Sequence, residues 1–385
     1  MNENDPLLDK ASSILENNPL VDGHNDMPWR YVHDVNDDLE KVDFLKDTSD
    51  LSPAMATDIP RLQKGKMGAQ FWAIYIPEKW DNKLQESLRR IEFVRNLTER
   101  YKNYLEFAES SDDICRIHSS GKIASLIGLE GSHCLEGRIE MAAEFYRLGV
   151  RYITMACNES NEAADAAFGS HLNRGLSDFG RDLVKEMNRL GIMVDLSHTS
   201  DETMKDALET SRAPLIFSHS NCRAICKSPR NVPDDIIEEV TQKGGIVMVT
   251  FVPMFVTEER RLFAETWFAE KKRLEEKYPD EPENIENGMK SWRKTHKMPL
   301  ANLSDLLDHI DHLKQVAGID HIGVGSDLGG FRYPLTGMED VSRFPYLFGG
   351  LLKRGYSEED VAKIAGRNIL SVMKTVKRIA DSQAH

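Results

Sequence analysis

His24 and Asp26 stand two residues apart, just after the apolar run Pro19-Leu20-Val21. In an extended segment residues i and i+2 point to the same side, so this imidazole and carboxylate can grip one metal ion together. A solitary H-x-D triplet is more often a solvated surface pair, so the metal reading depends on its companions. Those companions share one grammar, a short apolar or β-branched run with a metal-type or acid–base residue at its carboxyl end. Lys122–Leu129 runs into Glu130, Gly191–Ser197 into His198, Ala213–Ser218 into His219, and His321–Ser326 into Asp327. Each alone reads as a satisfied core histidine or a helix-capping acid. Five sites with the same placement are hard to ascribe to independent accidents.

Imidazoles and carboxylates suit borderline divalent ions, zinc most simply, and the set His24, Asp26, Glu130, His198 and His219 is expected to bind two. Glu130 takes the central place, because its two oxygens can each bind one ion and hold the pair roughly 3.5–4 Å apart. His24 and Asp26 then complete one ion, and His198 and His219 the other. A water shared between the two cations loses its proton near neutral pH and becomes the nucleophile, while one ion polarises the carbonyl under attack. Amide hydrolysis also needs a proton for the departing amine, and Asp327 is the candidate to carry it. The competing role for Asp327 is to cap the Gly329-Gly330 turn. Arg230 lies between the sixth apolar run and a helix opened by Pro233, and its guanidinium fork could clamp a substrate carboxylate. Its competing role is an ion pair with Asp234 or Asp235.

Residues scattered from 24 to 327 meet only if the architecture gathers strand ends. Eight strand-like runs centre on Val21, Phe71, Leu126, Ile153, Val194, Ile216, Val247 and Val324, and alternate with amphipathic stretches such as Leu84–Val94 and Phe179–Met187. Eight β-α units without an internal repeat or a Pro/Gly/Ser linker predict one (β/α)8 TIM barrel over 1–385, whose site forms at the carboxyl ends of its strands. An open doubly wound sheet is the alternative, and it gathers the first and eighth strand ends less naturally. A mixed-charge helical segment, about 255–300, is inserted after strand seven. The favoured reading is a solvated helical excursion, and the functional one is a lid or a subunit contact.

Sixty-three acids against forty-nine bases give a formal charge of −14, which works against a phosphate-backbone partner. No stretch approaches the roughly 18–20 apolar residues of a membrane helix. The acidic start Met1–Asp5 lacks the order of a leader peptide, and the tail Lys377–Gln383 is too polar for an anchor signal, so a cytoplasmic protein with no membrane partner is expected. The five cysteines include no C-x-x-C pair and read as free thiols, with Cys222 and Cys226 at helical spacing.

At this point the residues resemble a known family, the membrane (renal) dipeptidases of peptidase family M19 in the amidohydrolase superfamily. The likeness runs through Val21–Asp26, Gln70-Phe71-Trp72, Gly128–Gly131, Gly175–Gly180, Asp195–His198, Phe217–Ser220, Arg230–Asp235, Gly325-Ser326-Asp327 and Gly337–Ser342. The resemblance implies a binuclear zinc barrel that cleaves small dipeptides, often with a D-residue at the carboxyl side. It also implies that Glu130 bridges the ions, Asp327 transfers protons and Arg230 holds the substrate carboxylate. Two departures stand out. Cys157 occupies the place after strand four where the family carries a histidine that binds the scissile carbonyl, so Cys157 and its neighbours Asn158, Asn161 and His171 become the candidates for that contact. The inserted segment before Leu300 is longer than in the animal enzymes. A metal-dependent amidase, lactonase or deaminase with another substrate, or a metal-binding homologue that has lost turnover, are the alternatives. His133 and His171 otherwise read as structural or surface residues, and a homodimer is the assembly left open.

Overall fold

The computed structural model describes residues 5–51 and 54–383. The first four residues of the acidic start, on which the expectation about a leader rests, lie outside the described residues. The eight expected strands form as β1 (Leu20–Asn25), β2 (Met67–Tyr75), β3 (Ile123–Glu130), β4 (Val150–Thr154), β5 (Met193–Asp195), β6 (Leu215–Phe217), β7 (Ile246–Val249) and β8 (Ile322–Val324). Every neighbouring pair is parallel. β1 joins β8, and β2 joins β3 in register from Ala69↔Ala124 to Tyr75↔Glu130, so the sheet closes into the (β/α)8 barrel. A further three-residue strand, Leu105–Phe107, pairs with the first half of β3 and was not legible as a strand.

Parallel strands covered on both faces read as unbroken apolar runs, and β3, β4 and β7 are buried along their whole length. Alternate residues serve two cores. Val21, Ala69, Phe71, Leu126 and Met248 cluster with Ile369 and Val372 of the helix Asn368–Gln383. Leu20, Trp72, Ile127 and Val247 pack instead with helical residues such as Leu183, Ile236 and Leu306. The helix Asp178–Leu190 shows how a β-α unit is written. The Ser177 hydroxyl accepts from Gly180 N at 3.0 Å to start it, Leu183, Val184 and Met187 form its buried stripe, and Gly191 at φ 85° ends it before β5.

Between β7 and β8 the chain forms a short helix Pro253–Val256, then two longer ones, Glu258–Lys277 and Pro282–Thr295. Each long helix fully buries only one side chain, Leu274 and Met289 respectively. The helix Leu303–Val316, started by the Asn302/Asp305 capping box, returns the chain to β8. No described helix is long and apolar enough to cross a membrane. Cys222 and Cys226, for all their helical spacing, lie in a turn, buried and unbridged.

Candidate metal centre

The barrel carries the expected residues to one mouth. His24 and Asp26 stand at the end of β1, Glu130 is the last residue of β3, and His198, His219 and Asp327 follow β5, β6 and β8 within three residues. Ligand-type atoms of His24, Glu130 and His219 all lie within 4.8 Å of one another, as do those of Glu130, Cys157 and His198, and those of His24, Asp26 and Asp327. Glu130 spans two of these groups. Its Oε2 is 3.4 Å from His24 Nε2 and its Oε1 is 3.0 Å from His198 Nε2. His219 sits between the other imidazoles, with Nε2 2.9 Å from His198 Nε2 and its ring centroid 3.8 Å from that of His24.

Hydrogen bonds around the centre assign the histidine tautomers. Tyr152 Oη donates to Gly23 O at 3.1 Å, so at 2.8 Å from His24 Nδ1 it accepts, and the ring proton of His24 sits on Nδ1. The Ser218 hydroxyl donates to Asp195 Oδ2 at 2.6 Å and therefore accepts from His219 Nδ1 at 2.7 Å. Both Nε2 atoms thus turn lone pairs toward the carboxylates. Buried His24 Nε2 and Asp26 Oδ1 have no hydrogen-bond partner among the described residues. With His24 neutral these acceptors crowd together with no hydrogen between them and repel, at a cost of about 1–3 kcal/mol for each left unpaired away from water, so the centre calls for a proton or a metal cation. Either removes that conflict. Burial alone would lower the His24 pKa, yet Glu130, Asp26 and Asp327 outweigh it and lift it to about 10, so the centre draws positive charge to the ring edge that faces them. Burial and the Glu130 charge push the Asp26 carboxyl well up. This donor set of neutral imidazoles and carboxylates fits borderline divalent ions.

Three supporting side chains escaped the sequence reading. Asp22 accepts from Ser326 Oγ and N, both at 2.7 Å, and ties β1 to the loop after β8. Asp195 accepts from Thr154 Oγ1 at 2.6 Å and from Ser218, and so fixes His219. Tyr152 reaches His24 across the barrel because Gly128, its register partner, leaves the space: a Cβ at Gly128 would stand 1.9 Å from Tyr152 Cζ. The available signal was an aspartate two to three residues before each of His24 and His198. His198 and Asp327 take left-handed backbone, φ 70° and 62°, a strained choice for non-glycine residues and one that clusters at functional sites.

Arg230 is 2% exposed and forms no ion pair among the described residues. It donates to Ser220 Oγ at 3.1 Å and His219 O at 3.4 Å, its guanidinium lies 5.1 Å from the Phe255 ring centroid, and its Nε is unpartnered. Asp234 pairs instead with His312, and Asp235 approaches Lys205, so the local ion pair weighed for Arg230 does not form. Cys157 is buried at the centre and donates to Glu130 Oε1 at 3.4 Å, burial and the Glu130 charge pushing its thiol up. Asn158 is not drawn in: it is exposed, with its N–H on Glu78 Oε1 at 2.8 Å. Asn161 holds Met155 O and the turn at Ala163, His133 is buried against Ile76 O, and His171 is exposed.

The chain resembles known proteins along nearly its whole length. The sequence model of the family described as membrane dipeptidase (peptidase family M19) matches residues 8–385. Dipeptidase tcpJ of Claviceps purpurea is 36% identical over 397 aligned residues, covering 98% of this chain and 84% of that protein. Among solved structures, the probable dipeptidase PvdM from Pseudomonas aeruginosa superposes with a TM-score of 0.82 at 23% identity, covering 97% of this chain and 99% of that one. A metallo peptidase from Rhodobacter sphaeroides, liganded with a phosphinate mimic of L-Ala-D-Ala, gives 0.73 at 22%, covering 93% and 99%. The chain belongs to the membrane dipeptidases, peptidase family M19, and is by that membership a metallo-dipeptidase, a hydrolase of peptide bonds.

Proposed function

We propose that the centre holds two zinc ions and hydrolyses small dipeptides, L-Xaa-D-Xaa among them. Glu130 is the shared ligand, with His24 and Asp26 completing one site and His198 and His219 the other. When bound, the ions activate a water and polarise the scissile carbonyl. Asp327 takes the proton released at attack and delivers it to the departing amine, from a position beside Asp26 at the edge of the same cluster. Arg230 binds the free carboxylate of the substrate in its fork, which supplies the anion this buried guanidinium lacks. Cys157 lines the centre at Glu130 and offers only a weak S–H donor where the family carries an imidazole.

The observation that carries this reading is the placement of a buried arginine, without an ion-pair partner among the described residues, 3.4 Å from the backbone oxygen of His219, one of the candidate ligands. A second reading, a metal-dependent amidase or lactonase acting on another substrate, draws on Cys157. Arg230 separates the two. Arg230→Ala is expected to raise KM for dipeptides about 10- to 100-fold, the range of a lost charged hydrogen-bond pair of roughly 1.5–3 kcal/mol. Arg230→Lys keeps the charge but not the fork and should fall between. Dipeptide amides, which lack the carboxylate, should show little change. Steady-state kinetics on both substrate series checks this, and an unchanged KM for free dipeptides rules out the clamp.

A further inference from the structure

Beside the centre lies a cavity of about 830 Å³, walled by the two inserted helices and by the loop after β8. Val252, Pro253, Phe263, Trp267, Phe331 and Tyr333 give it a mostly apolar, largely aromatic lining. Gly330 forms the wall nearest the chemistry: a Cβ there would stand 2.4 Å from both Asp26 Oδ2 and Asp327 Oδ1. At the β7 side, the lining residues Val252–Met254 lead directly into Phe255, whose ring underlies the Arg230 guanidinium. The cavity therefore borders the carboxylate side of the centre through Gly330, and its lining stops one residue short of Phe255 along the chain.

Its chemistry is selective. Phe268 on the first inserted helix and Tyr333 in the loop after β8 are 54% and 46% exposed, large aromatic surfaces left in water on its lining. Although acids outnumber bases in the chain, the lining holds Arg260, Lys271, Arg293, Lys297 and Arg332 and, among the described residues, no carboxylate. Its volume falls in the range of roughly 300–1,000 Å³ that accommodates drug-sized ligands, far more than a methyl side chain fills.

We infer that this cavity is a specificity pocket, and that the substrates are dipeptides bearing a bulky aromatic or apolar side chain, with cationic side chains rejected. The inference rests on the dipeptidase reading above. In it, the inserted helices build a substrate wall, which answers the choice between an idle excursion and a functional element.

The test is a panel of Ala-Ala, Ala-Trp, Trp-Ala, Ala-Lys and Lys-Ala with the zinc-loaded full chain. One of the two tryptophan dipeptides should exceed Ala-Ala in kcat/KM by at least about tenfold, mainly through KM, since even one methylene in an apolar pocket discriminates by roughly 10- to 200-fold. The matching lysine dipeptide should fall below Ala-Ala. Trp267→Ala, and separately the more exposed Phe268→Ala, should shrink the tryptophan-to-alanine ratio severalfold or more. Equal kcat/KM values across the panel, or a ratio that neither variant moves, overturn the pocket while leaving the dipeptidase reading standing. A panel that is inert throughout overturns the dipeptidase reading and the pocket with it.

Discussion

Glu130→Gln should leave a folded barrel that retains fewer than two metal ions and turns over about a thousandfold more slowly or worse. The glutamate oxygens lie 3.4 Å from His24 Nε2 and 3.0 Å from His198 Nε2, so one side chain serves both halves of the centre. The histidines on either side hold its carboxyl well below the usual range despite burial, so the charge that glutamine removes is fully present at neutral pH. Glutamine also places an amide N–H₂ where one oxygen had stood, and that group cannot bind a cation. Losing Lewis-acid assistance worth several kcal/mol corresponds to about three powers of ten in rate. Metal analysis and kcat measured on the same preparation check this result. A variant that keeps both ions and more than about a tenth of the activity contradicts a bridging role.

Asp327→Asn should behave differently. Its expected result is a fall in kcat of about 10²- to 10⁴-fold, the usual contribution of a positioned proton carrier, with KM nearly unchanged and metal content intact. Retention of metal follows because His24, Asp26 and Glu130 remain on one side and His198, His219 and Glu130 on the other. The backbone should tolerate the change, since asparagine accepts the left-handed conformation at φ 62° as well as aspartate does. A substrate whose leaving group needs no proton should recover much of the loss. Loss of metal together with activity would instead make Asp327 a ligand, which its place in one group with His24 and Asp26 makes a specific rival.

The two variants probe residues that the amino-acid sequence alone makes legible, and the reason is geometric. A barrel places every strand end at one mouth, so the local pattern of an apolar run followed by a ligand-type residue is enough to identify His24, Glu130, His198, His219 and Asp327 as neighbours. The eight strand centres are readable for the same reason, since parallel strands buried on both faces leave long apolar runs. What escapes depends on partners far apart in sequence. Tyr152 becomes the partner of His24 only after the barrel closes, 128 positions away. Asp195 looks like one more strand residue until Thr154 and Ser218 are seen to converge on it. The solitude of Arg230 is invisible too, because two acids lie four and five residues downstream and only folding shows them turned to His312 and toward Lys205. The strand Leu105–Phe107 is no shorter than β5, β6 or β8, but it fully buries only Leu105 and carries Glu106 at its centre, so no continuous apolar run marks it.

The measurement that bears most directly on the whole is a zinc titration of the chelated full-length chain, with dipeptide hydrolysis and bound metal followed together. Activity should be absent without metal, return on addition of zinc, and level off at two equivalents per chain. Hydrolysis that survives chelation, or full activity at a single equivalent, would contradict a two-metal dipeptidase.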